Sequence, residues 1–483
     1  MQIQRLFKEN NEDMKNKPEV SIIIVNYNGK YLLRNCLSSI RNVNYPKEKY
    51  EIVVVDNNST DTSLDFITLN FPEVRIVESD KNLGFAGGCN LGVKNALGEY
   101  VVLLNTDTKV DKNWLTYLVK RIKSDKKIAA VNSKAYLYYP FVELSINSDI
   151  YLRSEFSDGV NFHSVGVLLE NIVLNNKELQ NLLRYRSGFY ETEPGSIQAR
   201  WTKGKSTVLI PIDSDKENNI VTLTIRSEKY QSNLKTRISI NLGEKKLLED
   251  KLESYQVNQY RLNLDNVVSE KDYLFEVQNA GLAVFKSGHG RDRGAVVKGY
   301  HQFYEIDNQF YNQPCEITAF SGVSVILRKD IYKKLGGFDE LYFMYYEDLD
   351  LSLRFKKMGY KIFFEPKSVI YHIHAGSSEE WSTFFNYHVE KNYLATLVKH
   401  FPLPQILAEV IKYGFMIIIS LLKMFKWRFR EHWELYEVWK DKFEYRRKVV
   451  VWFLKHLFSF MVKRYKLQNE QKIKNKDLAK QMY

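Results

Sequence analysis

Four groups of acidic or imidazole side chains stand at the ends of short apolar runs in the sequence: Asp56, Asp107, the pair Glu347–Asp348, and His372. A carboxylate at a strand end can hold a hard divalent cation, or accept a hydrogen bond from a nucleobase imide or a ribose hydroxyl. An ionised Asp at a helix start can take a proton from an attacking hydroxyl. Each residue taken singly could equally shape a turn or cap a helix, and only their arrangement distinguishes these roles.

Strand-like and helix-like stretches alternate through residues 18–135, and the pattern resumes at Thr318 within the stretch 286–400. This alternation predicts two halves of one α/β domain with a mostly parallel, doubly wound sheet. In such a sheet the carboxyl ends of the central strands meet at a ligand crevice. We therefore expect the four groups to point into a single cleft. The sequence has no GxGxxG after the first strand and no GxxxxGK[ST], which disfavours a dinucleotide oxidoreductase and a P-loop NTPase.

Short runs of alternating apolar and polar residues fill the stretch 191–285, which predicts an inserted antiparallel β-sandwich. The preceding stretch, 136–190, is expected to be an irregular connecting segment. The insert could bind a growing glycan, meet a partner subunit or shield the site. Its aromatic residues could stack on sugars or form its own core; examples are Trp201, Tyr230 and Tyr260.

Positive charge is concentrated at one end of the chain. The net charge is +12, and residues 423–483 contain 17 Lys/Arg and 7 Asp/Glu, so this stretch contributes 17 − 7 = +10. We interpret 401–483 as basic amphipathic helices that lie in a membrane interface, or alternatively as a helical subdomain with a solvated basic face. Its longest uncharged apolar run, 413–422, is about half a bilayer span, so no membrane-spanning helix is expected.

The remaining composition points to a reducing compartment. The three cysteines lie far apart without a CxxC motif, which argues against a disulfide framework and a structural zinc site. Residues 1–17 lack an apolar signal core and are expected to be a loose arm, so secretion is not expected.

Five motifs in order resemble glycosyltransferase family 2: Val20–Gly29 (VSIIIVNYNG), Val53–Asp61 (VVVDNNSTD), Asn82–Asn90 (NLGFAGGCN), Leu103–Asp107 (LLNTD) and Gly337–Asp350 (GFDELYFMYYEDLD). The resemblance covers 18–135 and 286–400. It implies an inverting enzyme of the Rossmann-like GT-A fold, of the rhamnosyltransferase-like kind that builds bacterial surface polysaccharides. The Arg291–Gly294 loop and the Val389–Asn392 helix look like a subgroup with a β insert.

The resemblance also implies roles for individual residues. Asp56 would bind the nucleobase, Asp107 would bind Mg²⁺ or Mn²⁺, and Asp348 would be the catalytic base beside Glu347. His372 would approach the metal and the diphosphate, and His374 is a second candidate metal ligand. Nucleotide-sugar contacts are expected from Asn26, Tyr27, Asn28, Asp56, Asn82, Gly84, Asn105 and Thr106. Acceptor contacts are expected from Ser321, Gly322, Arg291 and Asp292.

The expected function is transfer of a sugar from a UDP- or dTDP-sugar to a glycan or lipid-linked acceptor. The expected place is the cytoplasm, peripheral on the cytoplasmic face of the cell membrane. The alternative is a non-catalytic carbohydrate-binding or scaffold protein that retains the fold. A nucleic acid partner is not expected, because the basic tail carries no recognised readout module.

Overall fold

The computed structural model describes residues 17–154, 162–179, 182–192, 199–213, 218–228, 235–298, 301–373 and 382–483. The chain forms two compact units. The first, called the α/β unit here, consists of the residues up to Tyr138 together with Val277–Tyr483. The second, called the β unit, consists of Tyr139–Glu276.

The first half of the α/β unit alternates strands and helices as predicted. Its elements are β1 (Val20–Asn26), α1 (Lys30–Arg41), β2 (Tyr50–Asp56), α2 (Ser63–Asn70), β3 (Arg75–Glu78), α3 (Gly84–Asn95), β4 (Tyr100–Leu104), β5 (Thr108–Val110), α4 (Trp114–Lys123) and β6 (Ile128–Leu137). Strand β4 is buried along its whole length, because helices cover both faces of the sheet. In α1 the buried residues recur at helical spacing: Leu33, Cys36, Leu37 and Ile40.

In the described part of the β unit the strands pair antiparallel, and one isolated bridge, between Ser227 and Ser254, is parallel. Its strands are β7 (Phe141–Ser148), β8 (Tyr151–Ser154), β9 (Phe162–Val165), β10 (Leu168–Leu174), β11 (Lys177–Glu178), β12 (Arg184–Thr192), β13 (Arg200–Pro211), β14 (Ile220–Arg226), β15 (Thr236–Leu242), β16 (Lys245–Leu252) and β17 (Val257–Asn263). Nine of them share one sheet, and β8 and β9 pair separately. The division into two facing sheets stays a prediction.

The β unit differs from the predicted insert in where it begins. The stretch 136–190 was expected to be irregular, and this was wrong, because β7 to β11 and most of β12 lie within it. In β7 the apolar side chains of Leu144 and Ile146 are buried and alternate with polar ones, which is a strand signal that short turn-rich interruptions obscured. Trp201 and Tyr260 are buried, which favours the core interpretation, and Tyr230 lies outside the described residues.

The second half of the α/β unit completes the sheet and adds the helical tail. Its elements are β18 (Glu276–Asn279), β19 (Leu282–Val284), β20 (Gly290–Asp292), β21 (Ala295–Lys298), β22 (His301–Ile306), β23 (Cys315–Glu316), β24 (Ser324–Arg328), α5 (Lys329–Lys334), α6 (Glu347–Lys357), β25 (Lys361–His372), α7 (Thr383–His400), α8 (Leu403–Phe429), α9 (Trp433–Glu470) and α10 (Asn475–Leu478).

The sheet of the α/β unit is mixed. The central order is β6-β24-β4-β1-β2-β3, with β4, β1, β2 and β3 parallel and β24 antiparallel to both of its neighbours. Strand β25 runs parallel to β6. The carboxyl ends of β1, β2, β4, β6 and β25 therefore lie at the same edge of the sheet as the amino end of β24.

Among the described residues, one helix is long and apolar enough to cross a bilayer by length and composition. This helix is α8, with a mean hydropathy of 1.7 in its most apolar window, of which 17% is buried. The expectation that no helix would reach this length was wrong, because it counted only the uncharged run 413–422. Glu409 and Lys412 lie inside a longer apolar helix.

Candidate active site

Asp348 lies at the start of α6 and is fixed by two backbone amides. The Gly322 N–H donates to its Oδ2 at 3.0 Å, and the Leu349 N–H donates to its Oδ1 at 2.7 Å. Burial raises the pKa of Asp348 to about 6, and the charge of Asp292 adds to this, against the opposing effect of the two amides. A carboxylate with this pKa is ionised near neutral pH and can still accept a proton.

Glu347, the neighbour of Asp348, lies in the interior. Only 4% of its surface is exposed, and its charge lies close to Cys89 and Tyr332. Burial and the charge of Asp348 raise the pKa of Glu347 well above its usual range. Its Oε2 has no hydrogen-bond partner in the described part of the chain. The two acids of the predicted pair therefore have different environments: Glu347 is buried in the interior, and Asp348 accepts a hydrogen bond from the Gly322 N–H.

The backbone just before Asp348 is held in an unusual conformation. Phe343, Tyr345 and Tyr346 have φ values of 67°, 67° and 69°, in the left-handed region that non-glycine residues avoid. The side-chain amide of Asn392, fully buried in α7, donates to the carbonyls of Tyr342, Met344 and Tyr345 at 2.7 to 3.0 Å. Asn392 therefore clamps the loop that leads into Asp348.

Asp107 and His372 meet where β5 pairs with β25. The Nε2 of His372 lies 3.1 Å from Oδ1 of Asp107, and both residues are buried. The Nδ1 of His372 lies 2.6 Å from Oε1 of Gln278. If Nδ1 donates to Gln278, a neutral ring presents the Nε2 lone pair to a carboxylate, which is repulsive unless a proton or a cation lies between them.

The residues present at this point fit a divalent cation. An imidazole nitrogen and a carboxylate oxygen converge, and Mg²⁺ commonly takes one or two protein ligands and completes its shell with water and substrate phosphates. Among the residues that the structure covers, no group of three or more His, Cys, Asp or Glu side chains is arranged so that it could hold a metal ion. The second candidate ligand, His374, lies outside the described residues.

Asp56 is buried at the carboxyl end of β2, beside the end of β1. The side-chain amide of Asn26 donates to its Oδ1 at 3.1 Å, and the Ser59 N–H donates to its Oδ2 at 2.9 Å. Each oxygen keeps a second lone pair for a ligand donor. Asn28 has a φ of 52°, and its Oδ1 accepts from the Thr60 N–H at 2.7 Å. Asn26 and Asn28 therefore shape the pocket around Asp56.

The glycine-rich turn at the start of α3 is held by two asparagines. The Asn57 amide donates to the carbonyl of Gly84 at 2.9 Å and to Oδ1 of Asn82 at 3.1 Å. Gly84 has a φ of 69°, and a Cβ there would lie 2.4 Å from the carbonyl oxygen of Phe343. Glycine is therefore required at this position, and the turn contacts the loop before Asp348.

The remaining nucleotide-side candidates lie at the same edge. Asn105 follows β4; its N–H donates to the Val323 carbonyl at 3.0 Å and its carbonyl accepts from the Thr108 hydroxyl at 2.7 Å. Thr106 is half-buried, and Tyr27 is 52% exposed.

The expected acceptor residues form a hydrogen-bonded series that reaches the surroundings of Asp348. The Ser321 N–H donates to Oδ1 of Asn132 at 2.7 Å, and the Asn132 amide donates to Asn279 at 3.1 Å. The Asn279 amide donates to Asp292 at 2.5 Å. The remaining acceptor candidates are Gly322, which donates to Asp348, and Arg291, whose guanidinium lies 5.2 Å from the centre of the Phe285 ring.

Sequence reasoning missed the amide residues that support these groups: Asn57, Asn132, Gln278, Asn279 and Asn392. Asn132 could have been found in the same way as Asp107, because it begins a run of polar residues directly after the apolar residues of a strand. Gln278 and Asn279 had no such sequence signal, since they lie in a short strand whose partner is distant in sequence.

Comparison with known proteins agrees with the motifs. Residues 21–150 match the model of the family described as Glycosyl transferase family 2. The chain is 39% identical over 93 residues to a poly(ribitol-phosphate) beta-glucosyltransferase of Bacillus spizizenii, covering 18% of this chain and 15% of the relative. It is 30% identical over 115 residues to a poly-beta-1,6-N-acetyl-D-glucosamine synthase of Staphylococcus epidermidis, covering 23% of this chain and 27% of the relative. The chain thus matches less than a third of the length of each.

Among solved structures, the chain is similar to GalNAc-T7 crystallised with UDP, GalNAc and Mn²⁺. The identity is 16% and the TM-score 0.41, over 84% of this chain and 51% of the other, a similarity too weak to identify a ligand or a reaction. The family match and the curated relatives show that residues 21–150 are similar to glycosyltransferase family 2, as the motifs in this stretch predicted.

Proposed function

We propose that the chain is an inverting glycosyltransferase that moves a sugar from a nucleoside-diphosphate sugar onto a glycan or lipid-linked glycan. The observation that carries this proposal is the placement of Asp56, Asp107 and His372 at the sheet edge where Gly322 also holds Asp348. Such an edge supplies a nucleobase acceptor, a site for the diphosphate and a carboxylate base in one place.

Asp348 is the proposed base. It takes the proton from an acceptor hydroxyl, whose oxygen forms a bond to the anomeric carbon while the bond from that carbon to the diphosphate oxygen breaks. One displacement from the far side inverts the configuration, and the nucleoside diphosphate leaves with the electron pair. The raised pKa of Asp348 suits this step, because a base with a pKa near the working pH transfers protons efficiently.

Asp107 and His372 are the proposed ligands of Mg²⁺ or Mn²⁺. A bound cation supplies positive charge that stabilises a departing diphosphate. Gln278 orients His372 so that Nε2 faces Asp107, which resembles the way that second partners fix metal-binding histidines. Asn105, where a stricter motif would carry Asp, leaves the site with one negative charge fewer.

The donor and acceptor follow from the pocket and the relatives. Asp56 accepts hydrogen bonds, and this suits the imide N–H of uracil or thymine, hence a UDP- or dTDP-sugar. One relative is named for glucosyl transfer to poly(ribitol-phosphate) and another for poly-N-acetylglucosamine synthesis. These names support a role in bacterial polysaccharide synthesis.

A screen of UDP-, dTDP- and GDP-sugars for thermal stabilisation, with and without Mn²⁺, tests the proposal. We expect a UDP- or dTDP-sugar to stabilise the wild type, and Asp107→Ala to lose the stabilisation. The control is Asp65→Ala, which removes an exposed carboxylate from α2 and should keep the stabilisation. Release of the nucleoside diphosphate in the presence of glycan acceptors should follow. Stabilisation without any release would support the carbohydrate-binding alternative, and a chain that binds no nucleotide sugar would contradict the proposed sugar transfer.

A further inference from the structure

The last two long helices carry apolar side chains on their outer faces. In α8, large apolar residues recur every three or four positions and are all more than two-fifths exposed: Leu403, Leu407, Ile411, Phe415, Ile418, Leu422, Phe425 and Phe429. In α9 the same spacing recurs at Val451, Leu454, Phe458, Met461 and Tyr465. Because this spacing keeps side chains on one helix face, each helix presents a continuous stripe. We call the two together the outer stripes.

The opposite faces of these helices pack against the protein. In α8 the buried residues are Ile406, Tyr413 and Ser420, seven positions apart. The Tyr413 hydroxyl donates to Glu390 of α7 at 2.6 Å, and Arg446 of α9 donates to the Ser420 hydroxyl at 2.8 Å. Since polar contacts hold its inner face on the protein, α8 has only its outer face available for another surface. Such a helix lies along a bilayer instead of crossing it.

Exposed cations run beside the outer stripes. On α9, Lys448, Lys455 and Lys466 are exposed and seven and eleven positions apart, which places them on one flank. Near the end of α8, Lys423 and Lys426 are exposed on a similar flank, and the exposed Arg430 directly follows the helix. Together with the +10 contributed by 423–483, these positions put positive charge alongside exposed apolar side chains.

We propose that the outer stripes of α8 and α9 form a docking surface for a bilayer that contains anionic lipids. The apolar side chains enter the boundary between headgroups and acyl chains, and the flanking cations meet the anionic headgroups. A second copy of the chain is a poorer occupant, because pairing two such surfaces would bring their flanking cations together. The proposal goes beyond sugar transfer and does not depend on it.

Sedimentation of the full chain with lipid vesicles tests this surface. We expect binding to vesicles of phosphatidylcholine mixed with phosphatidylglycerol, and weaker binding to phosphatidylcholine alone or at high salt. Phe415 and Phe458 are 60% and 75% exposed, so Phe415→Glu combined with Phe458→Glu should keep the fold. This double variant should lower the vesicle partition coefficient about tenfold or more. The control is Leu69→Glu, at a position 80% exposed in α2, which should bind like the wild type.

A second variant separates charge from apolar contact. Lys448→Gln, Lys455→Gln and Lys466→Gln combined should reduce binding to the mixed vesicles and leave binding to phosphatidylcholine alone nearly unchanged. Circular dichroism verifies that every variant keeps its helices. Equal vesicle binding by the wild type and the double Glu variant would overturn the proposal. So would self-association without vesicles that the double Glu variant abolishes, because that result would assign the stripes to a second copy.

Discussion

The clamp that Asn392 forms around the loop before Asp348 makes a quantitative prediction. Three non-glycine residues in the left-handed region cost about 1–2 kcal/mol each, or roughly 3–6 kcal/mol together. The Asn392 amide has two N–H groups, so its three contacts share two hydrogens and contribute about 0.5–1.5 kcal/mol per N–H, or roughly 1–3 kcal/mol in total. The clamp therefore offsets part of the strain in this loop.

Asn392→Ala should therefore lower the free energy of unfolding by about 1–3 kcal/mol, measured by urea denaturation. The released loop should shift Asp348, and a displacement of about 1 Å can lower kcat about 10²-fold. Affinity for the nucleotide sugar should change little, because Asp56, at the end of β2, and Asp107, just before β5, lie on other segments of the chain. Release of nucleoside diphosphate measures kcat, and calorimetry measures the donor affinity.

A matched variant separates loop position from general stability. Ser420→Ala removes a buried hydroxyl that bonds to Arg446 in α9, away from the loop. It should lower stability by about 1 kcal/mol and leave kcat unchanged. A folded Asn392→Ala protein with wild-type kcat would refute the clamp as a positioning device, and equal losses of kcat in both variants would do the same.

Three further predictions concern the site. Gln278→Ala should weaken donor binding about 10-fold or more in the presence of Mn²⁺ and change it little without the metal, whereas equal calorimetric affinities under both conditions would show that Gln278 does not orient the metal ligand. Because Asp348 acts ionised and its pKa is raised to about 6, kcat should fall about tenfold per pH unit below that value and level off above it; a midpoint near pH 4 would contradict the raised pKa. Gly84→Ala should unfold at a lower temperature than Gly414→Ala, because a Cβ meets backbone atoms at Gly84 and open space at Gly414; equal melting temperatures would count against the turn geometry.

Much of the nucleotide half was predictable, because its signals are local. Strands β1, β2 and β4 are continuous apolar runs that end in polar residues, and the sheet rules place those ends together. The position of Asp348 followed from motif resemblance. The contact between Asp348 and Gly322 did not follow from the sequence. The antiparallel strand β24 and helix α6 bring these two residues together only in the folded chain.

The β unit and the supporting amide residues were harder to predict from the sequence. The sequence between β6 and β12 contains strands whose partners lie far along the chain, such as β7 with β13 and β15. Long-range pairing leaves no periodic trace beyond each strand. Asn392 illustrates the same limit, since an amide within a helix gains its role only from a loop fifty residues away.

The most direct test of the central claim is the turnover of Asp348→Asn beside its affinity for the donor. We predict that kcat falls by about 10²–10⁴-fold or more, while the dissociation constant of the nucleotide sugar stays within about threefold of the wild type. A folded Asp348→Asn protein that turns over at the wild-type rate would contradict the proposed base and, with it, the proposed reaction.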